Sequence, residues 1–384
     1  MLSNKLRALG TALFLGTATV AVASIPLSAP VEAAARPQVG RALQEAIHLA
    51  ESGNLSAANE KVREAESIGG LTPGDQQAIE QTKNYIAAKG GGGGGALGAR
   101  AKFANDYNAG RYRDVVGDDA DALRKSGSFT GEDEQVVAQA YYMMGDYSSA
   151  IRILRDMHSE AALELLMNAA LKSGDTASVR QAEESLVVEY NQPKYWTYLL
   201  SNAESTPGMS PENTMDVFRI RNLTNSMRNQ DDYMTAAEVA IQINCPTEAE
   251  DIIQKGVAAK VVVADPSRTQ RLLTMAKNQA GAETAGLAKA AQAANAAKTG
   301  DALIKLSEQY WGMNRFQDAV DAAKAGIAKG TSDDALAQMR LGMAYLGTHD
   351  KDGAMHAFNQ ASKLAAKPGD AIVAHLWLDY AKTH

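Results

Sequence analysis

Along most of the chain, apolar side chains recur three and four positions apart, and short polar phrases interrupt them at regular intervals. That rhythm predicts helices joined by tight turns. The clearest stretch, ALAQMRLGMAYLGTHDKDGAMHAFNQAS from Ala335, places Leu341, Tyr345, Phe358 and Ala361 on apolar faces. Gly342 and Ala354 are small where two helices of one hairpin must touch. The preceding stretch repeats this with Leu306, Ser307, Tyr310, Ala319, Ala323 and Gly326, a step of 35 residues. A third copy runs through Val137, Ala138, Tyr141, Gly145-Asp146-Tyr147, Ala150 and Leu154.

The turn phrases start at Gly145, Gly174, Asn244, Asn314 and His349, at intervals of 29, 70, 70 and 35. A period of 35 is close to the length of one helix–turn–helix repeat, so two turns are degenerate and expected near 209 and 279. The first falls in Ser205-Thr-Pro-Gly-Met-Ser-Pro211, a loop by composition, and the second at Gln279-Ala-Gly281, expected as a break. Gly110-Arg111-Tyr112 extends the frame upstream by 35 residues. Helical hairpins are therefore predicted at 99–124, 131–157, 159–190, 193–229, 231–258, 265–297, 299–329 and 332–365. Ile372, Val373, Leu376, Trp377 and Tyr380 lie on one helical face of the tail and would cap the last hairpin. The expected fold is all-α, an α-solenoid of stacked hairpins with a C-terminal capping helix.

The first 35 residues read as an address. Lys5 and Arg7 precede an apolar run from Ala8 to Ala23, and Ala33-Ala34-Ala35 fits a small-residue cleavage site. Cleavage after Ala23 is the alternative, and retention as an anchor is a second. Gly53-Asn54-Leu55, with Ala58 and Ala65, marks an N-terminal hairpin unit over 36–88, with a third helix from Pro73. Gly90 to Gly95 are six consecutive glycines with no strand before them and no Gly-Lys-Ser/Thr, so 89–98 reads as a flexible linker and not a phosphate loop. The main array is then 99–384.

Composition narrows the function. Hydrophobic residues make up 45% of the chain, enough for a continuous core, and alanine dominates them, which favours closely packed helices. Net charge is −7, and removal of residues 1–35 takes away two positive charges and one negative to leave −8. No basic stripe is present, which argues against a nucleic-acid partner. Beyond the leader no stretch is apolar enough to cross a bilayer. Cys245 is the only cysteine, so no internal disulfide forms, and Asn244-Cys245-Pro246 reads as a turn. His48, His158, His349, His356, His375 and His384 lack ligand spacing, and Asp350-Lys-Asp352-Gly353 lacks the remaining ligands of a calcium loop. Asp119 and Asp121 are expected on a solvated helix face. No nucleophile elbow, zinc-protease motif or Cys–His pairing is found, so no enzyme, cofactor or metal is expected.

The repeat phrases resemble the tetratricopeptide repeat family over most of 99–366, most closely over 299–365. KYWTYLL (Lys194 to Leu200) and DDYMTAAEVAIQINCPTEAEDIIQKGV (Asp231 to Val257) are similar to phrases of exported tetratricopeptide proteins of Gram-negative bacteria associated with TonB–ExbB–ExbD-type systems. The resemblance implies a periplasmic scaffold that holds protein or peptide partners in the cell envelope and supports TonB-dependent transport. It also implies a binding groove lined by the first helix of each repeat: Gln135, Gln139, Tyr142 and Met143 in one unit, Ile304, Glu308 and Trp311 in another, and Met339, Met343 and Leu346 in the last. The competing reading places Trp311 and Met343 in the core, where Tyr195, Trp196 and Tyr198 are also expected. The alternative function is an envelope enzyme, or an enzyme-associated subunit, acting on peptidoglycan or polysaccharide. Oligomeric state is not written in the sequence.

Overall fold

A computed structural model describes residues 35–89, 96–263 and 268–384. The leader and the polyglycine segment, as read above, lie outside the described residues. The fold is an all-α solenoid of consecutively packed helix pairs, with no strand among the described residues. It divides into two compact units at Val179/Arg180. That division falls inside the span read as one array, and the N-terminal hairpin unit belongs to the first body.

The first unit opens with α1 (Pro37–Glu51), α2 (Leu55–Ser67) and α3 (Pro73–Lys89), which share a core of Val39, Leu43, Ala58, Val62, Ile79 and Ile86. α4 (Ala96–Asn108) packs on α3. Its hairpin partner is broken into α5 (Tyr112–Asp114), a π-helical turn at Val115–Asp119 and α6 (Ala120–Lys125), kinked at Gly117 (φ −103, ψ −106). Then come α7 (Gly131–Met143), α8 (Tyr147–Leu154) and α9 (Glu160–Ser173), and α10 (Thr176–Tyr190) carries the division.

The second unit continues with α11 (Pro193–Glu204), α12 (Pro211–Leu223), α13 (Gln230–Gln242), α14 (Pro246–Ala258) and α15 (Thr269–Ala296). It ends with α16 (Asp301–Gly312), α17 (Phe316–Lys329), α18 (Asp334–Gly347), α19 (Lys351–Leu364) and α20 (Pro368–Thr383).

The repeat frame has a visible physical cause. Gly145, Gly174, Asn244, Asn314 and His349 all take left-handed φ, between 58° and 78°. Such a residue ends one helix and lets the next begin within a few positions; Gly does so without strain and Asn at little cost. Asp146, Asp175 and Asp350 then cap the following helices, each accepting a hydrogen bond from a backbone N–H three residues on. The small positions behave as the pattern requires. Ser307 Oγ donates to the carbonyl of Ala319 at 2.8 Å, and a methyl group on Gly342 would sit 2.5 Å from the Phe358 ring. An aromatic edge-on pair five residues apart spans the turn in three hairpins: Tyr107–Tyr112, Tyr142–Tyr147 and Trp311–Phe316.

Two expectations are corrected. No turn interrupts 279–281, because α15 runs unbroken over 28 residues. An interior glycine costs a helix roughly 1 kcal/mol, too little to break a run so rich in Ala, Lys and Gln. Asp119 is not on a solvated face: it is buried, with Oδ1 2.5 Å from Lys102 Nζ.

The second unit also turns back on itself. α20 packs chiefly on α19 and on α18, as a cap should, and also on α12 and α11. α12 is consequently buried on nearly every side, from Met215 and Asp216 through Arg221.

Candidate protein-interaction site

The ten residues expected to line a groove separate into two environments. On α7, Gln135, Gln139 and Tyr142 are half-buried and Met143 is 54% exposed. Gln135 Oε1 accepts a hydrogen bond from Ser159 Oγ at 3.0 Å, which ties the start of this face to the N-cap of α9. Tyr142 packs edge-on against Tyr147 at 5.4 Å, and burial pushes its phenol pKa up. α7 and α9 are neighbours, and α9 presents Leu171 with 58% of its surface exposed. Leu171 follows Tyr142 by 29 residues, the interval between Gly145 and Gly174. The turn frame therefore contained the signal for Leu171, although it was read only for three other helices. Met143 and Leu171 are large apolar side chains left in water on adjacent helices, the usual raw material of a protein contact.

In the second unit the equivalent positions are occupied by the chain itself. Ile304, Glu308, Met339 and Met343 are buried, and Trp311 and Leu346 are half-buried. They do not line one open groove as expected, because α12 sends Asp216 and Arg219 among them; Met339 borders a cavity of about 190 Å³ next to Asp216. Arg219 makes a two-pronged contact with Glu248 on α14 (Nε–Oε1 2.9 Å, Nη2–Oε2 2.7 Å) and a third with Glu308 at 2.8 Å. Asp216 bridges Arg219 at 2.8 Å and Arg340 at 2.7 Å, and Arg340 Nη2 lies 2.7 Å from Glu308. The Arg219 guanidinium also stands over the Trp311 ring, 5.1 Å from its centre. The Trp311 indole N–H donates to the Met343 carbonyl at 3.1 Å. Core packing and ion pairing thus account for Trp311 and Met343. Tyr195 and Trp196 are buried as expected, while Tyr198 is half-buried.

The electrostatics are those of a structural cluster. Burial alone would raise the Glu308 pKa, but Arg340 and Arg219 outweigh it and hold the carboxylate ionised. Burial likewise opposes the charge on Arg219, and Glu248 and Glu308 more than compensate. Such groups are fixed by their partners and unavailable to a substrate. Cys245 begins α14 with its sulfur 3.9 Å from Arg219 Nη2, and burial pushes its thiol pKa well up, leaving it unreactive. Asp350 serves as the N-cap of α19. Among the described residues, no group of three or more His, Cys, Asp or Glu is placed to hold a metal ion, and no helix is long and apolar enough to cross a membrane.

No protein-family model matches the chain, and no curated protein matches it. Among solved structures, the tetratricopeptide domain of P58(IPK) aligns at 12% identity with a TM-score of 0.20, covering 89% of this chain and 78% of its own. Yeast Tom70 aligns at 10% identity with a TM-score of 0.20, covering 90% and 95%. At that level of likeness neither alignment carries an argument, and the repeat description rests on the turn frame and the helix packing of this chain.

Proposed function

We propose that the chain is a protein-interaction scaffold whose binding face lies on α7 and α9 of the first unit. One observation carries this reading. Met143 on α7 and Leu171 on the neighbouring α9 are exposed, with Gln135, Gln139 and Tyr142 half-buried along α7, whereas the matching face of the second unit is filled by α12. Exposed apolar side chains with a half-buried Tyr and amide groups on the same helix suit a peptide or protein segment that offers apolar side chains and unpaired backbone groups. The second unit is, on this reading, a rigid support.

We further propose that the scaffold is exported and works in the periplasm. The charged-then-apolar leader with Ala33-Ala34-Ala35 supports export, and the phrases at Lys194–Leu200 and Asp231–Val257 support a role beside TonB-dependent transport. Fractionation of cells carrying the chain with and without residues 1–35 tests the location. For the binding face, Met143→Ala/Leu171→Ala, at two exposed side chains, should lower retention of an envelope partner at least tenfold with an unchanged melting temperature. Equal retention by variant and parent would remove the face from the proposal.

A further inference from the structure

The joint between α10, α11 and α20 gathers carboxyl groups in a way the scaffold reading does not use. Glu183 on α10 is 4% exposed, and its Oε1 accepts a hydrogen bond from Asn202 Nδ2 of α11 at 2.5 Å. The nearest cation on its own helix, Arg180, is turned to Glu184, with Nε 2.5 Å from Glu184 Oε1. Glu183 is therefore a buried acid held by a neutral amide, with a second carboxylate beside it. From α20, Asp379 is also 4% exposed and is paired at 2.8 Å with Lys382, itself 39% exposed. His375 is the remaining titratable group of α20 that acts on Asp379, which also feels the charge of Glu184. Trp196 of α11 lies in the same joint. Its indole N–H donates to Asn191 Oδ1 just beyond α10, and its ring lies 6.2 Å from Tyr380 of α20.

We propose that this joint is a proton-controlled clasp: with Glu183 protonated, α10 and α11 are held together, and loss of that proton loosens α11 and the C-terminal helix that packs on it. A neutral carboxyl can remain among Asn202 and apolar neighbours at little cost. An ionised one there feels the pull of Arg180, but that guanidinium is already paired with Glu184, and the buried charge draws water into the joint. Burial raises the Glu183 pKa to about 7, the adjacent Glu184 pushes the same way, and the bond from Asn202 offsets only part. Burial raises that of Asp379 as well, against the pull of Lys382. Both carboxyls are shifted upward in the folded state, so the clasp is tightest in acid. It weakens as pH climbs from the unfolded value, about 4.3 for Glu, through the folded one. The device sits near neutrality, where a modest pH change alters its state.

Hydrogen exchange of the full chain at pH 6.0 and pH 8.5, corrected for the chemical exchange rate, tests the clasp. Amides of α11 (Pro193–Glu204) should lose protection about fivefold or more at the higher pH, while those of α18 and α19 keep theirs. Glu183→Gln, close in shape and always neutral, should remove most of that change, and Asp379→Asn should reduce it in α20. An α11 that responds equally in parent and Glu183→Gln, or does not respond at all, overturns the proposal.

Discussion

Arg219 Nη1 lies 2.8 Å from Glu308 Oε1, both fully enclosed, although 89 residues of chain separate them. This contact joins α12 to α16 and buries Glu308, which the repeat frame expects on an open face. Removing Glu308 takes a charged hydrogen bond from both Arg219 and Arg340, which keep Glu248 and Asp216, at a cost of roughly 1–3 kcal/mol. Glu308→Gln should lower the urea unfolding free energy by about that amount, read from tryptophan fluorescence. A loss below about 1 kcal/mol would mean that the cluster is solvated.

The close approach within the last hairpin gives an independent test of the repeat frame. A methyl group at Gly342 meets the Phe358 ring, which has no free space to move into. Gly342→Ala should destabilise the chain by about 1–3 kcal/mol despite improving helix propensity. Calorimetry showing a raised melting temperature would refute the packing described for α18 and α19.

Trp311 and Met143 occupy corresponding faces but should behave in opposite ways. Trp311→Ala removes an indole held between Arg219, Trp377 and Phe316 and should cost about 3–5 kcal/mol of stability. Met143→Ala should change stability by less than about 0.5 kcal/mol and affect partner retention alone. Denaturant titration of the two variants side by side distinguishes support from contact surface.

Acid tolerance of the N-terminal bundle depends on Asp75. Burial would raise its pKa, but hydrogen bonds from the backbone N–H groups of Thr72 and Arg36 and from the Arg36 side chain hold it far below the ordinary range. A depressed folded value contributes stability above the unfolded pKa, and that contribution is lost as pH falls through the folded one. Asp75→Asn should be less stable than the parent at pH 7, and the two should converge below pH 3. Circular dichroism melts across that range check the trend; a constant gap would contradict it.

Much of the fold was legible because it is written in local signals. Turn residues with left-handed φ, caps such as Asp146 and small positions such as Ser307 each act within one hairpin, and they recur every 35 residues. The long α15 departs from the period: a turn is expected at Gln279-Ala-Gly281, yet the neighbouring alanines carry the helix through it. The burial of Glu308, Met339 and Met343 depends on α12 returning to the array, a contact between elements distant in sequence. Glu212, Asp216 and Arg219 fall on one stripe of α12 and read as a solvated side, so the burial of Asp216 and Arg219 against Glu308 and Arg340 was not visible locally. On α7, by contrast, Met143 keeps 54% of its surface exposed.

A photo-cross-linking residue placed at Met143, and separately at Leu346, tests the division between binding face and support most directly. With the full chain expressed in cells, position 143 should yield a discrete partner adduct that disappears when Tyr142→Ala is added, and position 346 should yield none. Adducts from 346 with none from 143 would contradict the account.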